Sequence, residues 1–252
     1  MNSRQQKILD LLREHHEVSV HALSADFGVS AMTVRRDLEQ LERARLATRT
    51  HGGAISSRSA VIEFAFLARN LERLAEKRAI AREMALRVRA GTTLVLDTGT
   101  TTLEVARELT RTADLRVLTT SLAIASVLFA HEQISLTLLG GAVRHDSPDL
   151  IGPLTEENLR RFRPDLAIVG ADAACEDGLY TATLDIARIT GAMIEGARET
   201  WLVADSRKFS RRSFVRFASW DRVPHLVTDT GLPPEAREWL AASGTALHLV
   251  EG

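Results

Sequence analysis

Seven short apolar runs, at 93–97, 115–119, 134–139, 165–170, 200–205, 226–229 and 246–250, alternate with amphipathic stretches of helical period. No other feature restricts the fold as much. Strands separated by helices are joined by βαβ crossovers, so the pattern predicts a mostly parallel sheet covered by helices on both faces. A chain of 252 residues has room for that sheet and one smaller unit beside it, since domains average ~150 residues.

The first sixty residues follow a different period. Apolar residues fall at helical spacing in three short bursts, with no alternating run until the end. Ser3 and Gln6 form an S-x-x-Q capping box that opens a helix with Ile8, Leu9, Leu11 and Leu12 on its inner face, ending near His15. A second helix, Val20–Phe27, follows Ser19 as N-cap and stops at Gly28. Ser30 caps a third, whose Val34, Leu38 and Leu41 form one stripe. Residues 46–53 then read as a β-ribbon with a glycine tip.

Composition removes several classes of function. At 45% hydrophobic and 26% charged, the chain is neither disordered nor fibrous. Its longest apolar stretch, around 123–130, is far short of the ~20 residues that span a bilayer, so no membrane partner is expected. Met1-Asn-Ser-Arg-Gln-Gln has no apolar run and does not read as a secretory signal. A lone Cys175 allows neither an intrachain disulfide nor a cysteine zinc site, and reads as a small buried hydrophobe in a reducing cytoplasm. His15, His16 and His21 read as solvated surface, so neither metal nor cofactor is expected.

Two helices joined by Phe27-Gly-Val-Ser30 have the spacing of a helix-turn-helix, whose second helix enters the DNA major groove. Here that helix turns Thr33, Arg35 and Arg36 outward near its N-terminal end. Arginine presents a planar fork that matches guanine or phosphate, and the helix N-terminus favours an adjacent phosphate. Arg49 and His51 on the ribbon are placed to grip the backbone or minor groove. Residues 1–60 carry two more basic than acidic side chains, while the remainder carries three more acidic than basic. A DNA site is therefore local to the first part.

The run Val29-Ser-Ala-Met-Thr-Val-Arg-Arg-Asp-Leu38, then Leu41-Glu42 and the closing Arg49-Thr-His-Gly-Gly-Ala54, resembles the winged-helix signature of DeoR-type bacterial transcriptional regulators. The resemblance implies that the domain binds double-stranded operator DNA, with Ser30, Thr33, Arg35, Arg36, Arg49, His51 and Gly52 at the interface. Arg45 stands where the family often has glycine, which implies an altered C-cap after the recognition helix.

In the larger part, Leu94-Val-Leu-Asp-Thr-Gly-Thr-Thr-Thr102 is a buried strand ending in Asp97, then Gly99, then the hydroxyls of Thr100, Thr101 and Thr102 at a helix start. By mechanism this is a phosphate cradle: glycine allows close backbone approach, and free N–H groups donate to an anion. Thr119-Thr120-Ser121, Gly140-Gly141 with Arg144 nearby, Gly170-Ala-Asp172 and Asp205-Ser-Arg-Lys208-Phe end other strands. In an open parallel sheet such ends line one crevice. A small polyhydroxylated anion suits it, acids on hydroxyls, Lys208 and the threonines on phosphate.

The stretch 77–229, with D-x-G-T-T-T, the L-G-G turn, Gly152 and D-S-x-K-F, resembles the DeoR-type sensor domain, which is similar in fold to ribose-5-phosphate isomerase and glucosamine-6-phosphate deaminase. The resemblance implies a phosphorylated sugar or polyol as effector. Two positions depart from the pattern. The usual T-N-S reads Thr119-Thr120-Ser121, and a usual glutamate and lysine ahead of A-M-I read Asp185 and Thr190. A carboxylate survives at Asp185, but the ammonium that would stabilise an enediolate oxyanion does not. The expected organisation is a winged helix-turn-helix over 1–57, a linker helix over 58–75 and an α/β effector-sensing domain over 76–252. The expected function is a cytoplasmic, non-enzymatic repressor of a carbohydrate or polyol operon, acting as a homo-oligomer, dimer or tetramer. The alternative is a sugar-phosphate isomerase-like enzyme with an accessory DNA-binding domain.

Overall fold

In a computed structural model, which describes residues 2–15, 17–44, 46–56, 70, 72–144 and 147–252, the chain forms two compact units. One is Met1–Ala68 with His145–Ser147, the other Arg69–Arg144 with Pro148–Gly252. The expected linker helix lies outside the described residues except at 70 and 72–75, as do His16 and Arg45.

The first unit comprises α1 (Ser3–His15), β1 (Glu17–Ser19), α2 (Val20–Phe27), α3 (Ala31–Arg43), β2 (Ala47–Arg49) and β3 (Gly53–Ser56). Its helices begin and end where local chemistry dictates. Ser19 accepts from the N–H of Ala22 and Ser30 from that of Thr33, while Gly28 closes α2 at φ 62°. The cap of α1 lies one residue earlier than the sequence suggests. Asn2 Oδ1 accepts from the Gln5 N–H (2.9 Å), and the Gln5 side chain accepts from the Asn2 N–H (3.0 Å). Asparagine caps as well as serine, so Asn2 and Gln5 complete the reciprocal box that Ser3 and Gln6 were expected to form.

Ile8, Leu9, Leu12, Leu23, Val34, Leu38 and Leu41 bury together under the ribbon. Each such aliphatic contributes about 1.5–3 kcal/mol on burial. Strand β1 was not legible, being three residues long. It pairs with β3, giving a sheet in the order β1-β3-β2. Gly53 is needed there, because a Cβ would come within 1.8 Å of the Val18 carbonyl oxygen.

The second unit is built on seven parallel strands, β4 (Thr93–Leu96), β5 (Leu115–Thr119), β6 (Ile134–Leu138), β9 (Leu166–Val169), β12 (Glu199–Val203), β14 (His225–Asp229) and β15 (Ala246–Val250), in the order β15-β14-β12-β9-β4-β5-β6. These are the seven runs read from the sequence. Val95, Ala167, Val169, Leu202 and Ala204 join one core with Ile189 and Met193. The alternate residues Leu94, Leu96, Ile168 and Val203 are also buried, so both faces of the sheet are covered.

Helices α4 (Leu74–Ala85), α5 (Thr100–Leu109), α6 (Leu122–Leu128), α7 (Pro153–Arg160), α8 (Leu184–Gly196) and α9 (Pro234–Ser243) accompany the sheet. The sequence did not reveal two small antiparallel additions. One pairs β10 (Ala173–Cys175), β11 (Gly178–Thr181) and β13 (Val215–Ala218); the other pairs β7 (Ala142–Val143) with β8 (Leu150–Ile151). Strands of two to four residues are too short to establish an alternation. Cys175, expected in the interior, is half-buried at the end of β10. No helix among the described residues is long and apolar enough to cross a membrane.

Candidate nucleic-acid interface and effector crevice

Helix α3 sorts its residues by angle. Val34, Asp37, Leu38 and Leu41 point inward, while Arg35 and Arg36 are exposed and Met32 is 71% exposed. Met32, Arg35, Arg36 and Glu39 therefore share one outer face at i, i+3, i+4 and i+7. The Ser30 and Thr33 hydroxyls bond to each other (2.9 Å) at the start of the helix. His51 and Gly52 are exposed at the ribbon's turn.

Arg49, at the end of β2, is tied to α3. Its guanidinium pairs with Glu39 (3.5 Å) and Glu42 (3.9 Å), and its N–H donates to Glu42 Oε1 (3.0 Å), so it fastens the ribbon to α3.

The aspartate of R-R-D-L is not part of the outer surface. Asp37 is buried and accepts from Arg4 Nε (2.5 Å) and Gln5 Nε2 (3.2 Å), tying α3 to α1. Its position three residues after Val34, on the apolar stripe, was the available signal. Asp37→Ala is expected to cost about 1–3 kcal/mol in urea unfolding, by removing the buried acceptor that the Arg4 and Gln5 side chains of α1 share. A change below about 0.5 kcal/mol would contradict that anchoring role.

In the second unit, strand order reverses direction between β4 and β9, and the crevice at such a switch point is where open α/β sheets bind ligands. Asp97 follows β4 there and is 4% exposed. Its Oδ2 accepts from the Gly170 N–H (3.1 Å) and its Oδ1 from the Thr190 hydroxyl (3.3 Å), joining the ends of β4 and β9 to the middle of α8. Burial pushes its carboxyl up to about 7; Asp149 adds to this, and the hydrogen bonds from Gly170, Thr98 and Thr190 partly oppose it. Asp149, also buried, pairs with Arg144 (3.4 Å) and accepts from the Thr98 hydroxyl (3.4 Å).

Several threonines and glycines serve the scaffold. Gly99 is the N-cap of α5, and the buried Thr102 donates to its carbonyl (3.1 Å). Thr101 is buried and Thr100 half-buried in the same first turn. Ser121 caps α6 by accepting from the Ile124 N–H. Thr120 has a buried hydroxyl with no partner among the described residues. The Gly140 carbonyl accepts from Thr155 Oγ1 (2.8 Å), and a Cβ on Gly141 would come within 1.9 Å of that same oxygen. Asp172 accepts from the Thr181 hydroxyl (3.0 Å) and the Ala182 N–H (3.1 Å), fixing the approach to α8. Asp185 is exposed in the first turn of α8.

The cationic side of the crevice lies beyond β9. Asp205, buried at the end of β12, caps a 3-10 turn over Ser206–Ser210 that carries Lys208. Phe209 stacks on Trp239 (5.9 Å) and Trp220 (6.5 Å) and so seats that turn. Sequence reasoning missed Lys77 on α4. It is 3% exposed; burial lowers its ammonium to about 8, with Lys208 acting the same way and Asp205 opposing. Its spacing from Ile80, Ala81 and Met84, which puts a lysine on a buried stripe, was the missed signal. Asp97 follows β4 and the turn bearing Lys208 follows β12, and these two strands are the neighbours of β9 in the sheet.

The sequence matches the profile of the DeoR-like helix-turn-helix domain over residues 4–60 and that of the DeoR C terminal sensor domain over residues 72–230. The chain belongs to the DeoR family. Among its DeoR-family relatives, the HTH-type transcriptional regulator GlpR of Haloferax volcanii is 36% identical, over 97% of this chain and 96% of that protein. The glycerol-3-phosphate regulon repressor of Escherichia coli K12 is 33% identical over 98% of each. Among solved structures, ribose 5-phosphate isomerase A from Methanocaldococcus jannaschii is 21% identical over 53% of each chain, with a TM-score of 0.38. Nothing about chemistry follows from a likeness at that level. Among the described residues of this DeoR-family chain, no group of three His, Cys, Asp or Glu side chains is arranged to hold a metal.

Proposed function

We propose that this chain is a transcriptional repressor that binds operator DNA through its helix-turn-helix and a phosphorylated sugar or polyol through the sheet-end crevice. The observation that carries the reading is the pairing, within one DeoR-family chain, of exposed Arg35 and Arg36 on a capped helix with the buried Asp97 that joins the ends of β4 and β9 at the switch point of the sheet. The names of the relatives, one an HTH-type transcriptional regulator and one a glycerol-3-phosphate regulon repressor, support the same reading. The proposed boundaries are 1–57 for the DNA-binding domain, 58–75 for the linker and 76–252 for the sensor.

At the DNA, Arg35 and Arg36 reach bases or phosphates, Ser30 and Thr33 meet the backbone beside the helix N-terminus, and Arg49, His51 and Gly52 form the wing. In the crevice, Lys77, Lys208 and the α5 N-terminus at Gly99, Thr100, Thr101 and Thr102 take the phosphate. Asp97, Thr120, Ser121, Arg144, Asp172 and Asp185 face the hydroxylated part, with Gly140 and Gly141 shaping its rim. The repressor is cytoplasmic and works as a dimer or tetramer, because two heads on a symmetric oligomer read a repeated site. Effector control requires that the ligand bind one arrangement of the molecule better than another.

Lys208→Ala tests the crevice. The variant is expected to lose the rise in melting temperature that a phosphorylated sugar or polyol gives the wild type, while its affinity for promoter DNA stays within about twofold. An undiminished thermal shift would remove Lys208 from the site. The isomerase reading has less support, since the position where an ammonium would stand is Thr190, bonded to Asp97.

A further inference from the structure

One apolar side chain of α3 is turned to solvent. Met32 is 71% exposed, the most exposed large apolar residue among the described residues of the first unit, where the next, Ile55, is 41% exposed. At about 100° per residue, the buried Val34, Asp37, Leu38 and Leu41 centre about half a turn away from it, so Met32 lies on the outermost line of the helix. Arg35 and Arg36, both exposed, stand about 60° and about 40° to its two sides. Glu39 and Arg43 continue the same line toward the C-terminus, and Glu39 is engaged by Arg49 of the ribbon (3.5 Å). The outermost line is therefore apolar in the first turn and charged beyond it.

That first turn is fixed by its cap. Ser30 Oγ accepts from the Thr33 N–H (3.2 Å) and bonds the Thr33 hydroxyl (2.9 Å), while the Ser30 carbonyl accepts from the Val34 N–H (3.2 Å). Met32 is thus presented from a set backbone position. A lone apolar side chain between two arginines is far smaller than a protein-docking patch, which covers at least a few hundred Å². Its surroundings suit a groove instead. A helix of ~10–12 Å diameter fills a major groove ~12 Å wide, and the N-terminal residues of a recognition helix meet the base edges there. The residue on the outermost line faces the floor of the groove, and its neighbours on either side reach toward the walls.

We propose that Met32 reads a thymine of the operator through its C5 methyl group. The inference rests on the helix-turn-helix reading of the first unit. Of the groups that base pairs present in the major groove, the thymine methyl is the apolar one; the others are hydrogen-bond donors and acceptors. Met32 against a donor or acceptor would strip water from a polar edge and return no hydrogen bond, which costs free energy. Against the methyl, two apolar surfaces leave water together. The unbranched, polarisable side chain adapts to the methyl's position. Arg35 and Arg36 then meet guanine or phosphate beside that thymine. Met32 carries no charge, so it contributes to specificity and leaves the salt dependence of binding to the arginines.

The test uses the full chain and a fluorescent duplex of the promoter segment that it protects from nuclease, with each thymine replaced in turn by deoxyuridine, which lacks only the C5 methyl. At one thymine position the wild type is expected to lose about fourfold in affinity, the equivalent of one buried methyl. Met32→Ala is expected to bind the thymine duplex about fourfold or more weakly than the wild type and to distinguish thymine from deoxyuridine there by less than about 1.5-fold. Its salt slope stays that of the wild type. Met32 is exposed and alanine favours helix, so the melting temperature of the variant is unchanged. Met32→Leu, apolar and of similar volume, keeps the discrimination.

Full thymine discrimination in Met32→Ala overturns the proposal, because another side chain then reads the methyl. A wild type whose affinity no deoxyuridine substitution lowers by as much as about twofold overturns it as well. In both cases a retained preference for the promoter over a scrambled duplex leaves the helix-turn-helix reading standing. If the wild type binds the two duplexes alike, that reading falls and the thymine contact falls with it.

Discussion

Alanine at both Arg35 and Arg36 is expected to weaken promoter binding by about 2–6 kcal/mol, from roughly 30-fold to four orders of magnitude, while leaving thermal unfolding unchanged. The size follows from about 1–3 kcal/mol for each arginine that reads a base or holds a phosphate. Unchanged stability follows from position: both side chains are exposed, whereas the helix is held by Val34, Leu38 and Leu41 and by Asp37 on Arg4. The single variants separate the roles. A base-reading arginine relaxes specificity at one position, and a phosphate-contacting one weakens all sequences alike and lowers the salt slope by about 1. DNA affinity within twofold of the wild type in the double variant would show that this face of α3 is not the interface.

The second large effect concerns Asp97. Burial holds its folded-state carboxyl at about 7, against about 3.9 for an unfolded chain. The folded state therefore binds the proton more tightly, so this contribution to stability is full below about pH 4 and is lost as pH rises through about 7. At 1.36 kcal/mol per unit, the wild type loses about 4 kcal/mol relative to Asp97→Asn between about pH 4 and pH 8. Asparagine suits the control because its oxygen still accepts from Gly170 and it does not titrate. Urea unfolding of both proteins across that range checks the expectation. A stability difference that stays flat with pH would mean that Asp97 is ionised throughout.

What was legible in the sequence was local. Ser19, Gly28 and Ser30 cap helices through atoms two to four residues away, and each strand of the seven-stranded sheet is announced by its own apolar run. What was hidden depends on distant partners. Glu17–Ser19 is a strand because β3 lies beside it, and the cap of α1 falls at Asn2 because its side chain accepts from the Gln5 N–H and its carbonyl from the Gln6 N–H. Arg49 reads as a wing residue in the sequence, but its ion pairs to Glu39 and Glu42 on α3 are not legible there. Thr190 was visible as a lost ammonium, but its bond to Asp97, 93 residues away, was not. Lys77 is buried because α4 packs on the sheet, and no spacing along the chain records which strands it covers.

The most direct measurement is fluorescence anisotropy of the full-length chain with its own promoter duplex and with a scrambled duplex of equal length, at moderate ionic strength, each with and without phosphorylated sugars and polyols. The account predicts tighter binding to the promoter by about three orders of magnitude or more, and a change of about 10-fold or more when the cognate phosphorylated metabolite is present. Equal affinity for both duplexes, unmoved by every phosphorylated compound, would contradict it.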